Sequence, residues 1–343
     1  MRNETKFSWS SEIPYGTSEI EEDAASRYST ARADSLLHGE SLRCCIRDCK
    51  ELLPKRHRGQ KPCFCPKHGI SMSTKPTYIY RDTERNFIVG KDIPTRIAKV
   101  EKWRLGFETS EDALSWNVFV SLYALNGLAE AFEALTGTIP VGEPELYLWG
   151  NRIDAECTPW LNLHEVRKNL ERDMTIPTEP DIILRVPGQA IVLIEAKFSS
   201  PNSSMAKKKG RFGSVTEFLK RYRCKEGATD PLNRKWISEQ EDNRVLEQLC
   251  RNVIFAHWLA SEREQPFVIN LVTRKATNDE QLFHQHLAAN DVVQFHVRYW
   301  EDLYGLSVIR GEKASVLRSY LKNKTLNLKP AFDLKPTNPV PET

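Results

Sequence analysis

The stretch EPDIILRVPGQAIVLIEAKFSS, residues 179–200, has the pattern of two apolar strands joined by a tight turn. The apolar runs cover Ile182–Val186 and Ala190–Ala196, and Pro187-Gly188 between them is a dipeptide suited to a hairpin. Short apolar runs without polar alternation are typical of strands that are buried on both faces. The stretch therefore predicts a buried hairpin that helps to build a sheet.

Three charged residues stand at the edges of this hairpin. Asp181 precedes the first strand, and Glu195 and Lys197 lie at the end of the second. Two carboxylates at adjoining strand ends can share a divalent cation, because Mg²⁺ prefers oxygen ligands and is usually held by one or two carboxylates with water and phosphate. Side chains two residues apart on a strand share a face, which places the lysine beside the acid at 195. A metal with a neighbouring cation indicates metal-assisted hydrolysis of a phosphodiester.

The composition limits the classes of protein to which the chain can belong. It has 343 residues, of which 40% are hydrophobic and 28% charged, as in a soluble globular protein. It contains no apolar run of about 20 residues and no signal-peptide pattern, so we expect a cytoplasmic protein without a membrane partner. The net charge of +3 is too small to indicate a polyanionic partner by itself. Any such inference depends on where the basic residues lie.

The segments around the hairpin have helix and strand patterns. Residues 110–137 predict one helix, because Ser110 is a suitable N-cap, apolar residues recur every three or four positions, and Gly137 is a suitable C-cap. Further strands are predicted at 145–149, 266–274 and 292–300, with a second helix at about 241–260. The order of helix, three strands, helix and two strands indicates an α/β fold.

Pro180-Asp181, thirteen intervening residues and Glu195-Ala196-Lys197 together resemble the motif of the PD-(D/E)XK, or restriction-endonuclease-like, nuclease superfamily. The element order over residues 110–300 is also similar to that of the family. The resemblance implies a restriction-endonuclease-like core, a central mixed β-sheet flanked by helices. It further implies a phosphodiesterase dependent on Mg²⁺ or Mn²⁺, with Asp181, Glu195 and the backbone carbonyl of Ala196 on the metal and Lys197 beside the nucleophilic water. A structural ion pair between Glu195 and Lys197 is the alternative.

Three further residues are candidates for completing this site. Many members of the family add an acid from the preceding helix, and Glu111 is the candidate because it heads the buried stripe of that helix; the alternative is a first-turn acid favoured by the helix dipole. Glu179 lies two residues before Asp181, on the same strand face. Gln248 resembles a glutamine that some branches of the family carry on the following helix, and its alternative role is to flank the core.

Cysteines are concentrated near the start of the chain. Five of the eight fall between Cys44 and Cys65, and a histidine follows at 68, which in a cytosolic chain favours a metal over disulfides. Two thiolates from one turn, with a thiolate and a histidine from another, make a tetrahedral Zn²⁺ site. The predicted structural zinc ligands are Cys44, Cys49, Cys65 and His68, with Cys45 and Cys63 as alternatives.

These patterns divide the chain into predicted regions. In order they are a polar, poorly ordered arm at 1–39, a zinc-binding module at 40–75, a connector at 76–109, the nuclease core at 110–327 with a basic insertion at 199–240, and a proline-rich tail at 328–343.

The basic insertion is a candidate nucleic-acid contact. Basic side chains there alternate with Phe212, Phe218 and Tyr222, a mixture that suits phosphate contacts and base stacking. A solvated loop is the alternative. The predicted phosphate contacts are Lys207, Lys208, Lys209, Arg211, Arg221 and Arg223.

The function expected from these features is hydrolysis of DNA by an endonuclease of restriction or antiphage defence. Its expected partners are DNA and other subunits of a defence or transposition complex. Transposition, repair and RNA-directed cleavage are alternatives within the enzyme class. The alternative outside that class is a non-catalytic protein with a nuclease fold that binds nucleic acid or scaffolds a complex.

Overall fold

A computed structural model describes residues 7–26, 28, 41–54, 61–73, 75–91, 93–97, 102–154, 156–172, 178–205, 214–241, 244–276 and 279–334. The chain divides into two compact units. The first unit combines Met1–Leu125 with Leu303–Thr343, and the second unit is Asn126–Asp302. The boundaries of the five regions predicted from the sequence are not tested by this division and stay predictions.

The elements of the described residues are numbered here in chain order. The strands are β1 Ser41–Arg43, β2 Leu52–Pro54, β3 Ile70–Met72, β4 Tyr78–Tyr80, β5 Glu145–Leu148, β6 Asn151–Arg152, β7 Ile182–Val186, β8 Ala190–Ala196, β9 Gln265–Val272, β10 Gln294–Tyr299, β11 Thr325–Leu326 and β12 Lys329–Pro330. The α-helices are α1 Ile93–Arg96, α2 Glu111–Ala124, α3 Leu128–Thr136, α4 Leu161–Leu170, α5 Val215–Arg221, α6 Arg234–Ser238, α7 Glu247–Leu259, α8 Glu280–His284, α9 Trp300–Tyr304, α10 Ser307–Arg310 and α11 Ser315–Asn323. Short 3₁₀ helices lie at Thr83–Asn86, Lys102–Gly106 and Glu312–Ala314.

The second unit is built on a six-stranded sheet in the order β10-β9-β8-β7-β5-β6. β5, β7 and β8 form an antiparallel meander, and β9 and β10 continue from β8 in parallel. All seven residues of β8 are buried, as expected of an apolar strand with neighbours on both sides. The predicted α/β class, with a mixed central sheet and flanking helices, is confirmed.

The hairpin predicted from the quoted stretch is present with its predicted bounds. β7 pairs with β8 from Val186 opposite Ala190 to Ile182 opposite Ile194. Gly188 has φ +77, a left-handed conformation that glycine adopts without a Cβ clash, and this closes the turn. The strand order therefore depends on a turn that the sequence already indicates.

One face of this sheet packs against α7. Ile191 and Leu193 of β8 belong to a buried apolar cluster with Val268 of β9 and Val253 and Ile254 of α7. Alternate residues of a strand share a face, so Glu195 lies on the covered face as well. The sheet and helix thus create the buried surroundings of the acid.

The helix predicted at 110–137 is two helices, so that prediction is wrong in its middle. The side chain of Ser110 caps α2 by accepting from the Ala113 N–H at 3.2 Å, and Gly137 ends α3 with φ +76, as predicted. Between them Asn126 has φ +58 and is followed by Gly127. Asparagine tolerates this left-handed conformation, which ends α2 although the apolar spacing continues.

The first unit contains two short hairpins, β1–β2 and β3–β4. Its buried cluster includes Ile20, Ala24 and Tyr28, and the Tyr28 hydroxyl donates to the Ser73 carbonyl at 2.6 Å. Part of the segment that the sequence predicts as a poorly ordered arm therefore packs into the first unit, and the bounds of the arm stay a prediction. Ile20 pairs with Ile46 in an isolated bridge, and Ala24 lies in a short helical turn.

The C-terminal segment closes the same first unit. Lys324 and Glu108 form a buried ion pair with Nζ and Oε1 3.5 Å apart, and the Thr325 N–H donates to the same carboxylate oxygen at 3.0 Å. Leu328 packs in the cluster that contains the cysteines. The first unit therefore depends on chain segments from both sides of the second.

No helix within the described residues combines the length and apolar character that crossing a bilayer requires.

Candidate functional site

Asp181 and Glu195 lie side by side where the β7–β8 hairpin opens. Ile182 faces Ile194 in the antiparallel register, and the next positions outward are the two acids. Asp181 Oδ2 accepts from the Ala196 N–H at 2.9 Å, which fixes the carboxylate against the end of β8. Strand pairing therefore brings together two acids that are fourteen positions apart in sequence.

Glu195 is held by two hydrogen-bond donors and a nearby guanidinium. Lys197 Nζ donates to Oε1 at 2.6 Å, and Asn252 Nδ2 donates to Oε2 at 3.0 Å. The guanidinium of Arg251 approaches Oε2 at 3.7 Å. All four residues are buried, so both oxygens of the carboxylate are fixed in place.

A second buried acid, Glu247, lies next to this group. Its Oε1 is 3.6 Å from Arg251 Nη1, one helical turn away on α7. Arg251 thus lies between two carboxylates, one from the sheet and one from its own helix. Burying such charges is costly unless they are paired, so α7 and β8 depend on each other at this point.

The surroundings keep Glu195 ionised. Burial by itself raises the pKa of a carboxyl, but attraction to Lys197 and Arg251 and the hydrogen bonds to Oε1 and Oε2 outweigh it. The pKa of Glu195 is therefore below its ordinary value of 4.5. At neutral pH the site presents a carboxylate and not a carboxylic acid.

The backbone at Lys197 is anchored on both sides. Its N–H donates to the Leu271 carbonyl of β9 at 2.8 Å, and its carbonyl accepts from the indole Nε1 of Trp300 at 3.0 Å. Main-chain bonds of this kind fix where the side chain begins. The ammonium position at Glu195 is thus set by the fold as well as by the ion pair.

Asn270 of β9 faces Glu195 across the parallel register. Its side chain is fully buried, and within the described residues neither amide atom has a hydrogen-bond partner. The same is true of the Oδ1 atom of Asn252. Buried amides are normally hydrogen-bonded, so these atoms mark a polar place beside the carboxylate.

The structure places the remaining candidates as follows. Gln248 is half-buried on α7, and its Oε1 accepts from the Ser203 N–H at 3.3 Å. Glu179 lies 3.7 Å from the guanidinium of Arg167. Glu111 is in the first turn of α2, in the first unit. Their roles in the site stay predictions.

Arg251 and Asn252 were not among the sequence-based candidates, although they contact Glu195. The signal for them is a charged and an amide residue inside an otherwise apolar run, Leu249-Cys250-Arg251-Asn252-Val253-Ile254. Polar residues at core positions of a helix need buried partners, and that requirement is visible in the sequence. The identity of the partner is not, because it depends on how the helix lies on the sheet.

The basic insertion is only partly described. The predicted contacts Lys207, Lys208, Lys209 and Arg211 lie outside the described residues, whereas Arg221 is half-buried at the end of α5 and Arg223 is exposed.

The proposed stacking role of the insertion's aromatic residues is wrong for two of them. Phe218 and Tyr222 are fully buried, and the Tyr222 hydroxyl donates to Glu171 at 2.6 Å. Both belong to the buried apolar cluster of the second unit, because the insertion folds into a helix with an apolar side. Neither ring is exposed to a base.

The first unit brings together the four predicted zinc ligands. The ligand atoms of Cys44, Cys49, Cys65 and His68 all lie within 4.8 Å of one another. The two alternatives are outside the cluster: Cys45 is buried and Cys63 is exposed. The predicted set of four is therefore confirmed as a group that can hold a metal such as zinc.

Backbone hydrogen bonds shape the two turns that carry these ligands. The Cys44 N–H donates to the Glu51 carbonyl at 2.9 Å, and the Cys65 N–H donates to the Ile70 carbonyl at 2.7 Å. Gly69 has φ +64, which lets the chain turn into β3 directly after His68. Both ligand pairs are thus local products of short turns.

Comparison with known proteins found no matching family model, no matching curated protein and no matching solved structure. The function is therefore inferred from the residues and their geometry.

Proposed function

We propose that the second unit is a metal-dependent phosphodiesterase of the PD-(D/E)XK type that cleaves DNA. The observation that carries this proposal is the position of Asp181 and Glu195 directly beyond the last pair of the β7–β8 hairpin, with the ammonium of Lys197 on the second acid. The meander followed by α7 and the parallel strand β9 supports it, because the family resemblance implies the same order.

The donor set fits a hard divalent cation. Asp181 and Glu195 offer carboxylate oxygens and Ala196 offers a backbone carbonyl, which are the ligand types that Mg²⁺ or Mn²⁺ takes. Mg²⁺ also keeps several waters, and the unpartnered amide of Asn270 beside the acid suits a hydrated ion. When bound, such a metal polarises a phosphoryl oxygen and lowers the pKa of a water.

The other residues act by position and charge. Lys197 is an ammonium within a buried site, where it can orient the attacking water and offset charge that develops on the phosphate. Asn252 and Arg251 hold the Glu195 carboxylate in one orientation, and the nearby positive charge keeps it ionised. These contacts also explain why a buried acid is tolerated at the end of β8.

A structural ion pair is the competing explanation for Glu195 and Lys197. It accounts for their contact, but it gives no reason for a second acid, Asp181, at the adjoining strand end. Arg251 is shared between Glu195 and Glu247, so Lys197 completes the charge balance of this buried group; the ion pair therefore explains Glu195 and Lys197 but not the acid at 181. A catalytic role accounts for all three residues together.

DNA as the substrate, and a pathway of restriction or antiphage defence, rest on the family resemblance. The test compares the wild-type protein with Asp181→Asn and Lys197→Ala on supercoiled plasmid, linear DNA and RNA, with Mg²⁺, Mn²⁺ or EDTA. We expect metal-dependent cleavage of DNA by the wild type and a loss of about 10²-fold or more in each variant, the scale of a lost catalytic group.

Glu165→Gln and Lys168→Ala are matched controls, because those side chains form an exposed pair on α4. Both controls are expected to cleave as the wild type does. Cleavage by both site variants at the wild-type rate would refute the assignment. Binding of DNA without cleavage by any protein would favour the non-catalytic alternative, and cleavage of RNA alone would change the substrate.

A further inference from the structure

The cysteine and histidine cluster has interatomic distances that identify a ligand class. Cys49 Sγ and Cys65 Sγ are 3.8 Å apart. His68 Nδ1 lies 3.6 Å from Cys44 Sγ and 3.5 Å from Cys65 Sγ. The sulfurs are too far apart for a disulfide, whose S–S bond is about 2.05 Å.

These distances match the edges of a tetrahedron around zinc. With Zn–S of about 2.3 Å and Zn–N of about 2.0–2.1 Å, a regular tetrahedron has S–S edges of about 3.8 Å and S–N edges of about 3.5–3.6 Å. These three distances fall on those values, and all six separations of the ligand atoms are within 4.8 Å. Three thiolates and an imidazole are also soft or borderline donors, which favour zinc over Mg²⁺ or Ca²⁺.

We propose that Cys44, Cys49, Cys65 and His68 bind one Zn²⁺ in a closed structural site, with His68 coordinating through Nδ1. Four protein ligands fill a tetrahedron and leave no open position for a substrate. The three cysteines are almost fully buried, and the ring of Tyr15 lies edge-on to His68 with centroids 5.8 Å apart. The surroundings therefore cover the three thiolates, whereas His68 is half-buried at the edge of the cluster.

The place of the cluster in the first unit gives the metal its role. Two ligands come from the connection between β1 and β2, and the other two directly precede β3. Each of these hairpins has strands of only three residues, and isolated two-stranded hairpins are at best marginally stable. A metal bound to both turns fastens the hairpins to each other and to the segment around Ile20 and Tyr28, which packs on the same cluster.

The chain supplies its own controls for the ligand assignment. Cys45 adjoins one ligand and Cys63 is two residues from another, yet neither belongs to the cluster. Cys45→Ala and Cys63→Ser therefore remove a thiol from the same segment without removing a ligand. Any general effect of losing a cysteine would appear in them as well.

The experiment measures zinc in the full-length chain by mass spectrometry and the absorption spectrum after replacement by Co²⁺. We expect about one zinc per chain in the wild type, Cys45→Ala and Cys63→Ser, and loss of the metal in Cys49→Ser and His68→Ala. The Co²⁺ form should show tetrahedral d–d bands and thiolate charge-transfer bands.

His68→Cys guards against the outcome in which a ligand variant fails only because it does not fold. A four-thiolate site also binds zinc, so this variant should keep the metal and show stronger thiolate charge transfer with Co²⁺. Equal zinc in Cys49→Ser and the wild type would overturn the proposal, as would a metal-free wild type with a disulfide among these cysteines. The readouts do not involve cleavage, so they are independent of the proposed nuclease activity.

Discussion

The two candidate sites are supported in opposite ways. The cysteine cluster of the first unit lies among strands of three residues, whereas the carboxylates of the second unit lie on strands of five and seven residues covered by α7. In the first case the proposed zinc would hold together hairpins whose strands are too short to be stable alone. In the second case a large core stabilises the site and keeps its charges in place. On these proposals, a buried cluster of ligands is a cause of folding in the first unit and a consequence of folding in the second.

Metal removal is the largest test of this contrast. Structural zinc sites contribute about 10–16 kcal/mol in small zinc modules, so a chelator should abolish amide protection over 41–54 and 61–80. Hydrogen exchange followed by mass spectrometry measures this, and peptides from 182–196 are the control. Protection that falls equally in both regions, or in neither, would contradict the contrast.

The buried guanidinium of Arg251 is the second test. Arg251→Met leaves Glu195 and Glu247 without their shared cation, which should cost about 3–5 kcal/mol in the free energy of unfolding. Arg152→Met is the matched control, because its side chain is half exposed in a surface pair with Glu145 and should cost about 0–1 kcal/mol. Urea unfolding monitors both variants, and equal costs would show that Arg251 is not part of a buried network.

Asn252 offers a smaller effect in the same place. Asn252→Leu removes the donor to Glu195 Oε2 and should cost about 1–3 kcal/mol, since a buried charged acceptor loses one partner. Asn169→Leu is the control, because Asn169 is exposed and its amide donates to a carbonyl within its own helix. Denaturation of both variants gives the comparison, and a cost at 169 equal to that at 252 would count against the described geometry.

The smallest of the expected effects is the pH dependence of stability, which tests the contribution of the Glu195 carboxylate alone. Its pKa in the folded protein is below the ordinary 4.5, so its favourable contribution is fully present above that pH and is lost as pH falls through the folded pKa. Stability of the wild type should therefore fall more steeply below about pH 4.5 than that of Glu195→Gln. Urea midpoints measured across this range provide the test, and parallel profiles would mean that Glu195 gains no stabilisation from its partners.

The sequence predicted those parts of both sites that depend on local spacing. The hairpin that carries Asp181 and Glu195 follows from two apolar runs and a Pro-Gly turn, and the cysteine and histidine cluster follows from pairs five and three residues apart. Arg251 and Asn252 could not be assigned to Glu195, because a helix contacts a strand through packing that no local pattern specifies. The break at Asn126 was missed for a related reason, since the apolar spacing continues through it.

The buried aromatic residues show the same limit. Phe218 and Tyr222 alternate with basic residues in sequence, and that alternation gave them a surface role. When α5 forms, its period of 3.6 residues places aromatic and basic side chains on different sides, and Phe218 and Tyr222 pack into the buried apolar cluster. The sequence therefore shows that aromatic and basic side chains occur together in this segment, but it does not show which of them face the core.

The discontinuity of the first unit has a consequence for synthesis. The second unit is complete in the nascent chain once residue 302 has been made, although the cysteines of the first unit were translated long before. The contacts of Lys324 with Glu108, and of Leu328 with the cysteine cluster, form only when the last segment emerges. The first unit can therefore reach its final packing only after residues that follow the second unit have been translated.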